Sequence, residues 1–190
     1  CPEAIIADTD ILATAPDIML QAGLGDMLAK YVSICEWRIS HIVVDDPYCE
    51  EIAGMVRACL AKIISHASGL MKREPEALQA VLEGLVISGI SMAFAEISRP
   101  ASGLEHYFSH VWEMQALQKG QPSDLHGIQV GVGTLLVLWM YEHMLNFDAV
   151  DVEKAEAAMR AFSPEAWEQT MRRIFGPIAP SILAIEEKVG

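Results

Sequence analysis

Apolar residues recur at helical spacing along almost the whole chain, in segments separated by glycine and proline. The first apolar stretch, AIIAD at residues 4–8, is typical of a short strand, whereas the later repeats of three and four residues predict helices. Two segments, GLVISGISMAFA and GIQVGVGTLLVLWMY, are apolar on nearly every side and are interpreted as buried core helices. The pattern predicts an all-α, bundle-like single domain over residues 1–190, and it allows one short N-terminal strand.

Glycines set the predicted helix boundaries near the N-terminus. Gly23 and Gly25 are expected to end a short helix over residues 15–23, and a longer helix is expected over residues 25–43. Helical periodicity places one apolar face of that longer helix at Leu28, Tyr31, Val32, Cys35 and Ile39. The more polar tail predicts three amphipathic helices, over residues 151–162, 163–175 and 180–189.

Composition narrows the class of protein. Of 190 residues, 52% are hydrophobic, and 13 Lys and Arg face 26 Asp and Glu, for a net charge of −13. Such a negative surface repels phosphate backbones and anionic lipids, so we expect no nucleic-acid or membrane partner. The four cysteines form no regular framework, and no basic leader precedes an apolar run. These features favour a cytoplasmic protein.

Candidate chemistry lies at predicted helix starts. The sequence SGLE over residues 102–105 is a capping box, which predicts a helix from Ser102 with Glu105 as its structural cap. His106 and His110 are then one turn apart on the same face. His126 is expected in the first turn of the apolar helix that follows QPSD, and Asp26 in the first turn after the glycines.

Asp26, His106 and His126 therefore form a candidate ligand set. A first-turn position favours the neutral imidazole, and two imidazoles with one carboxylate suit zinc or nickel. Three protein ligands leave one open position, which is typical of a catalytic site. From the pattern alone, the alternative is that both histidines are ordinary core or cleft residues and that Asp26 only interacts with a helix dipole.

Three motifs, AGLGDMLAKYVSICEWRISH, SRPASGLEHYFSH and LHGIQVGVGTLLV, together resemble the C-terminal domain of sn-glycerol-1-phosphate dehydrogenases. That family belongs to the superfamily of glycerol dehydrogenases, iron-containing alcohol dehydrogenases and dehydroquinate synthases. The resemblance covers residues 2–145. It implies metal binding by Asp26, His106 and His126, and a place in the substrate pocket for His110. Lys30 stands where iron-dependent members tend to have His, which indicates the zinc-type branch.

The resemblance implies interconversion of glycerol-1-phosphate and dihydroxyacetone phosphate, with a metal cation as Lewis acid and hydride exchanged with NAD or NADP. The nucleotide would be bound by an N-terminal domain that this chain does not contain, so we expect the chain alone to be inactive. His110 is the predicted catalytic residue. Arg99 and Ser102 join it as predicted substrate-binding residues, because both precede a helix that could hold phosphate at its N-terminus.

Two other classes of function remain open. One is another enzyme of the same superfamily, such as a dehydroquinate synthase-like lyase or a different polyol dehydrogenase. The other is a non-catalytic helical module that binds a metal or a partner protein. Neither the choice between NAD and NADP nor the oligomeric state follows from the sequence, and a homo-oligomer is compatible with it.

Overall fold

The computed structural model of the chain describes residues 3–146 and 149–189, with side chains up to residue 185. Its elements, in chain order, are α1 (Thr9–Leu12), α2 (Asp17–Leu28), α3 (Lys30–Val44), α4 (Glu50–Leu70), α5 (Pro75–Ala95), α6 (Leu104–Gln118), α7 (His126–Met144), α8 (Val152–Ala161), α9 (Pro164–Phe175), a 3-10 helix (Gly176–Ile178) and α10 (Ala179–Val189). The described residues contain no strand, which confirms the all-α prediction. Residues 4–8 are exposed coil, because the described part of the chain offers them no neighbouring strand to pair with.

The chain divides into two compact units. Unit 1 contains residues 1–109 and 124–138, and unit 2 contains residues 110–123 and 139–190. Helices α6 and α7 each contribute residues to both units. The interpretation of residues 1–190 as one domain stays a prediction.

Helices α4 and α5 pack extensively against each other and form the centre of unit 1. Two clusters of buried side chains surround this contact. The first joins α2, α4 and α5 through Leu20, Met27, Ile63, Leu70, Ala77, Leu78, Ala80 and Val81. The second joins α3 and α4 through Ile34, Trp37, Ile52, Ala53, Val56 and Leu60. Burying each Leu, Ile, Val or Met side chain of these clusters contributes about 1.5–3 kcal/mol, so the clusters hold unit 1 together.

Helix α5 is the one helix of the described residues that is long and apolar enough to cross a membrane by length and composition alone. Helix α5 has 21 residues. Seven of those residues, including Leu78 and Val81, are buried against the rest of unit 1. A core helix passes the same test, and the packing of α5 fits that interpretation.

The predicted boundary at Gly23 and Gly25 is wrong, because α2 continues through both glycines to Leu28. The glycines serve close packing instead. A Cβ atom on Gly25 would lie 2.3 Å from the carbonyl oxygen of Gly127, so α2 and α7 cross with their backbones in contact. Ala29 alone separates α2 from α3, and its dihedral angles are themselves helical.

The predicted apolar face of α3 is also wrong in part. Tyr31 is 48% exposed, Ile39 is 46% exposed and Cys35 is exposed as well. In contrast, Trp37 is buried and donates its indole N–H to the carbonyl of Pro47 over 2.7 Å. The buried positions of α3 are Lys30, Val32, Ser33, Ile34 and Trp37. Two of these are polar, so hydrophobic periodicity could not identify the buried face.

The three predicted tail helices are confirmed as α8, α9 and α10, all in unit 2. The carboxylate of Asp151 accepts from the N–H of Lys154 and begins α8, and Ser163 accepts from the N–H of Ala166 in the same way at α9. The core of unit 2 contains Met171, Phe175 and Ala179.

Candidate metal centre

The structure brings Asp26, His106 and His126 together within unit 1. One ligand atom from each of the three lies within 4.8 Å of the others. They come from α2, α6 and α7, which are far apart in sequence. The three candidate ligands that were predicted from the sequence therefore lie close together in the structure.

The helix positions of the ligands match the prediction for the two histidines only. His126 is the first residue of α7 and His106 the third of α6, so both lie in a first turn. Asp26 lies in the last turn of α2, because α2 does not end at the glycines. A helix C-terminus disfavours a carboxylate, so Asp26 needs a nearby cation rather than a helix dipole.

Glu105 fixes the ring of His106. The Nδ1–H of His106 donates to Oε1 of Glu105 over 2.7 Å, because a carboxylate can only accept. The lone pair of His106 is then on Nε2, which lies 3.7 Å from Oδ1 of Asp26. That separation is too long for a hydrogen bond. It is close to the ligand spacing of about 3.4 Å around a tetrahedral zinc ion.

Glu105 also caps α6, although the helix begins at Leu104 rather than at the predicted Ser102. Its Oε1 accepts from the N–H of Gly103 over 2.9 Å. The predicted structural role is therefore present, together with the contact to His106 that the prediction lacked. Glu105 is fully buried, and its Oε2 has no hydrogen-bond partner among the described residues.

Ser109 fixes the ring of His126. The Ser109 hydroxyl donates to Oε1 of Gln129 over 2.9 Å, so its oxygen is the acceptor for the Nδ1–H of His126 at 3.1 Å. This arrangement puts the lone pair of His126 on Nε2. The ring centroids of His106 and His126 are 5.2 Å apart. Both imidazoles therefore carry the proton on Nδ1 and a free lone pair on Nε2. This is the tautomer that outer hydrogen bonds to Nδ1 select in metal sites.

Lys30 supplies the cation beside Asp26. Its Nζ lies 3.1 Å from Oδ2 of Asp26, and its side chain is only 2% exposed. A buried ammonium group needs such a partner, because burying an unpaired charge is strongly unfavourable. The pair also offsets the unfavourable position of Asp26 at the end of α2.

A cleft of about 340 Å³ opens onto the three candidate ligands. Its polar lining includes Lys30, Ser88 and Ser102 besides the ligands, and its apolar lining includes Leu85 and Met92. Ser102, a predicted substrate-binding residue, thus lies at this cleft. The three ligands and a cationic side chain converge on one concavity, which is typical of a binding site for a small polar molecule.

Two predicted substrate-binding residues, Arg99 and His110, are not part of the described lining of this cleft. Arg99 forms an ion pair with Asp46 over 3.1 Å and is not part of the described lining of the cleft. His110 belongs to unit 2, one turn after His106 on α6, and its Nδ1 lies 3.7 Å from Oε2 of Glu113. The assignments of Arg99, Ser102 and His110 to substrate binding stay predictions.

The donor atoms fit a divalent cation of the zinc type. Two imidazole nitrogens and one carboxylate oxygen are ligands that zinc and nickel accept, and each has the outer hydrogen bond that metal ligands usually have. Those outer partners are Glu105, Ser109 and Lys30. Ligand atoms up to 4.8 Å apart would have to draw together around such an ion.

No role at the site was predicted for Ser109 or Gln129, and Lys30 was expected only to indicate the zinc-type branch. Lys30 could have been found, because its position four residues after Asp26 is that of a helical ion pair. Ser109 and Gln129 gave no signal, since only the packing of α6 against α7 brings them together. A Cβ on Gly133 of α7 would lie 2.5 Å from the carbonyl oxygen of Glu105, which shows how closely these helices approach.

Comparison with curated proteins finds clear relatives. The chain is 33% identical over 193 aligned positions to a glycerol-1-phosphate dehydrogenase [NAD(P)+] of Bacillus licheniformis, with 99% of this chain and 48% of the relative covered. Proteins of the same name from Halalkalibacterium halodurans and Hyperthermus butylicus are 38% and 39% identical. Those matches cover 75% and 74% of this chain, and 36% and 39% of the relatives.

No family model matches the chain. The chain spans about half the length, or less, of the curated relatives it matches. The alignments cover 74–99% of its residues, and the relatives come from several organisms. The resemblance inferred from the three motifs is confirmed: the chain is homologous to the glycerol-1-phosphate dehydrogenases.

Proposed function

We propose that this chain is the metal- and substrate-binding part of an NAD(P)-dependent glycerol-1-phosphate dehydrogenase. The observation that carries the proposal is the convergence of Asp26, His106 and His126 on one cleft in a homologue of such enzymes. The reaction would interconvert glycerol-1-phosphate and dihydroxyacetone phosphate. A cytoplasmic location and a small phosphorylated polyol as the partner belong to the same proposal.

Asp26, His106 and His126 would hold the cation, with zinc or nickel as the best match to the donor set. When bound there, the cation would supply Lewis-acid stabilisation of negative charge on the substrate oxygen. Glu105 and Ser109 keep the two imidazoles in the required tautomer. Ser102 would offer a hydroxyl group to the polyol, and His110 would act at the substrate.

Hydride transfer also needs a nicotinamide bound next to the substrate. No described residue of this chain forms a strand with a glycine-rich phosphate turn, the usual binding site for such a nucleotide. We therefore propose that NAD or NADP is bound by a separate domain and that the 190-residue chain alone has no dehydrogenase activity.

A fusion experiment tests this proposal. The part of the Bacillus licheniformis relative that the chain does not match would be joined to this chain and loaded with zinc. Oxidation of glycerol-1-phosphate would be followed by NAD(P)H absorbance. We expect turnover by the fusion, no turnover by the chain alone, and loss of turnover in the fusion that carries His106→Ala.

The alternatives give different results in the same experiment. A dehydroquinate synthase-like lyase would leave glycerol-1-phosphate unchanged. Another polyol dehydrogenase would prefer an unphosphorylated polyol. A non-catalytic module would give a folded, metal-binding fusion without turnover on any of these substrates, and that result would contradict the proposal.

A further inference from the structure

The two carboxylate oxygens of Asp26 face different partners. Oδ1 lies 3.7 Å from Nε2 of His106, on the side of the candidate ligands. Oδ2 lies 3.1 Å from Nζ of Lys30, which donates to it. One oxygen is thus directed to the metal position, whereas the other is occupied by a protein cation.

Lys30 has little freedom to leave this contact. Its side chain is 2% exposed, and it begins α3 directly after Ala29, which is fully buried. Moving Nζ away from Asp26 would leave a buried charge without its counterion, and losses of that kind are strongly destabilising. The ion pair between Lys30 and Asp26 is therefore a fixed part of the site, unlike an ion pair between two exposed side chains.

Because only one oxygen of Asp26 faces the candidate ligands, the site should prefer some cations over others. Zinc in protein sites prefers four ligands in a tetrahedron, and a carboxylate that supplies one oxygen fills one of these positions. Manganese suits oxygen-rich octahedral sites, to which a carboxylate can contribute two oxygens. A carboxylate oxygen that accepts from a buried ammonium group presents less negative charge to a metal, so the other oxygen is the better ligand.

We propose that Lys30 is a positioning residue that restricts Asp26 to one metal-facing oxygen and thereby favours a four-coordinate cation over one that needs more ligands. The inference rests on the metal site of the proposed function. It goes beyond that function because it assigns metal selectivity to a residue that is not itself a ligand.

The test compares two cations of equal charge. Zinc alone and manganese alone would be titrated into the metal-stripped 190-residue chain and into its Lys30→Met variant. Removing the charge of Lys30 changes the electrostatic attraction for both cations alike, so that effect cancels in the ratio of their dissociation constants. We expect the preference for zinc over manganese to fall by about tenfold, the lower end of the effects of outer partners of metal ligands.

Lys72→Met is the matched control, because Lys72 is 70% exposed and pairs only loosely with Glu74 at 3.8 Å. It should leave both dissociation constants unchanged. An unchanged zinc-to-manganese ratio in Lys30→Met, with zinc binding intact in the parent chain, would overturn the role of Lys30 and leave the proposed function standing. Failure of the parent chain to bind zinc would overturn both.

X-ray absorption of the zinc-loaded parent chain covers the case in which Lys30→Met does not fold. The inference predicts four nitrogen or oxygen ligands at about 2.0–2.1 Å, with one of them from Asp26. Five or more ligands, including both oxygens of a carboxylate, would contradict it. The same spectrum from the Lys30→Met variant, where that variant folds, should show a higher coordination number.

Discussion

The Nδ1 atom of His106 lies 2.7 Å from Oε1 of the fully buried Glu105, its neighbour in sequence. This contact sets the tautomer of a candidate metal ligand and joins it to the capped start of α6. The same oxygen accepts from the N–H of Gly103, so one carboxylate both begins the helix and orients the imidazole. The carboxylate of Glu105 therefore stabilises both the start of α6 and the orientation of a candidate metal ligand.

Substitution Glu105→Gln should weaken zinc binding by about 10- to 100-fold, because a neutral amide holds the imidazole N–H less strongly than a carboxylate. A competition titration against a zinc indicator would measure the change. Glu153→Gln in the exposed first turn of α8 is the control and should leave zinc affinity unchanged. Wild-type affinity in a folded Glu105→Gln variant would show that Glu105 only caps the helix.

Substitution Ser109→Ala should also weaken zinc binding, by about tenfold, since it removes the acceptor for Nδ1–H of His126. The loss should be similar to that from Glu105→Gln, because the charge-assisted bond that Glu105 accepts is about twice as strong as a neutral one and a Gln side chain would keep a neutral bond. The same indicator titration applies. Ser65→Ala on the exposed side of α4 serves as the control, and equal losses in both serine variants would exclude a specific role for Ser109.

Substitution Gly25→Ala should destabilise unit 1 by about 1–3 kcal/mol, because its methyl group would lie 2.3 Å from the carbonyl oxygen of Gly127. Gly54→Ala is the contrasting control. It also lies within a helix, but a Cβ there meets nothing within 4 Å, so it should stabilise the chain by up to about 1 kcal/mol. Urea unfolding followed by circular dichroism measures both. Equal effects of the two changes would contradict the close crossing of α2 and α7.

The thiol of Cys59 gives a pH-dependent prediction. Burial raises the pKa of this thiol, Glu83 raises it further, and Lys62 lowers it. A raised pKa leaves less thiolate at mildly alkaline pH, so alkylation of Cys59 should be slow and should accelerate as the pH rises. Glu83→Gln removes one cause of the raised pKa and should speed the reaction. Peptide mapping after iodoacetamide treatment would follow it.

Cys35 is an internal control in that experiment. Burial and then Glu36 raise the pKa of its thiol, so Glu83→Gln should leave its rate of alkylation unchanged. A faster reaction of both cysteines would indicate that the substitution loosens the fold. An unchanged rate at Cys59 would contradict the influence of Glu83 on this thiol.

Much of the fold could be predicted from the sequence, because helical periodicity and proline and glycine positions are local signals. The exceptions have a common physical cause. Gly23 and Gly25 are usual helix-ending residues, yet α2 continues through both. Gly25 allows α2 to contact α7, and Gly23 packs against side chains of α5, which no local pattern reveals. The buried face of α3 was missed for a similar reason, since it includes the polar residues Lys30 and Ser33.

The three candidate ligands could also be named from the sequence, but the argument for one of them was wrong. Asp26 was placed at a helix start, whereas it lies near a helix end beside Lys30. The motif resemblance led to the same residue independently of that argument. The partners of the ligands depend on side chains that meet only after folding, so Ser109 and Gln129 could not be identified.

The most direct test of the account is a calorimetric titration of zinc into the metal-stripped chain and into three single variants, Asp26→Ala, His106→Ala and His126→Ala. His66→Ala is the control, because His66 bonds within α4 to the carbonyl of Lys62. The account predicts one tight zinc site in the parent chain and in the control, and its loss in each of the three variants. Zinc binding that survives all three substitutions, or its absence from the folded parent chain, would contradict the account.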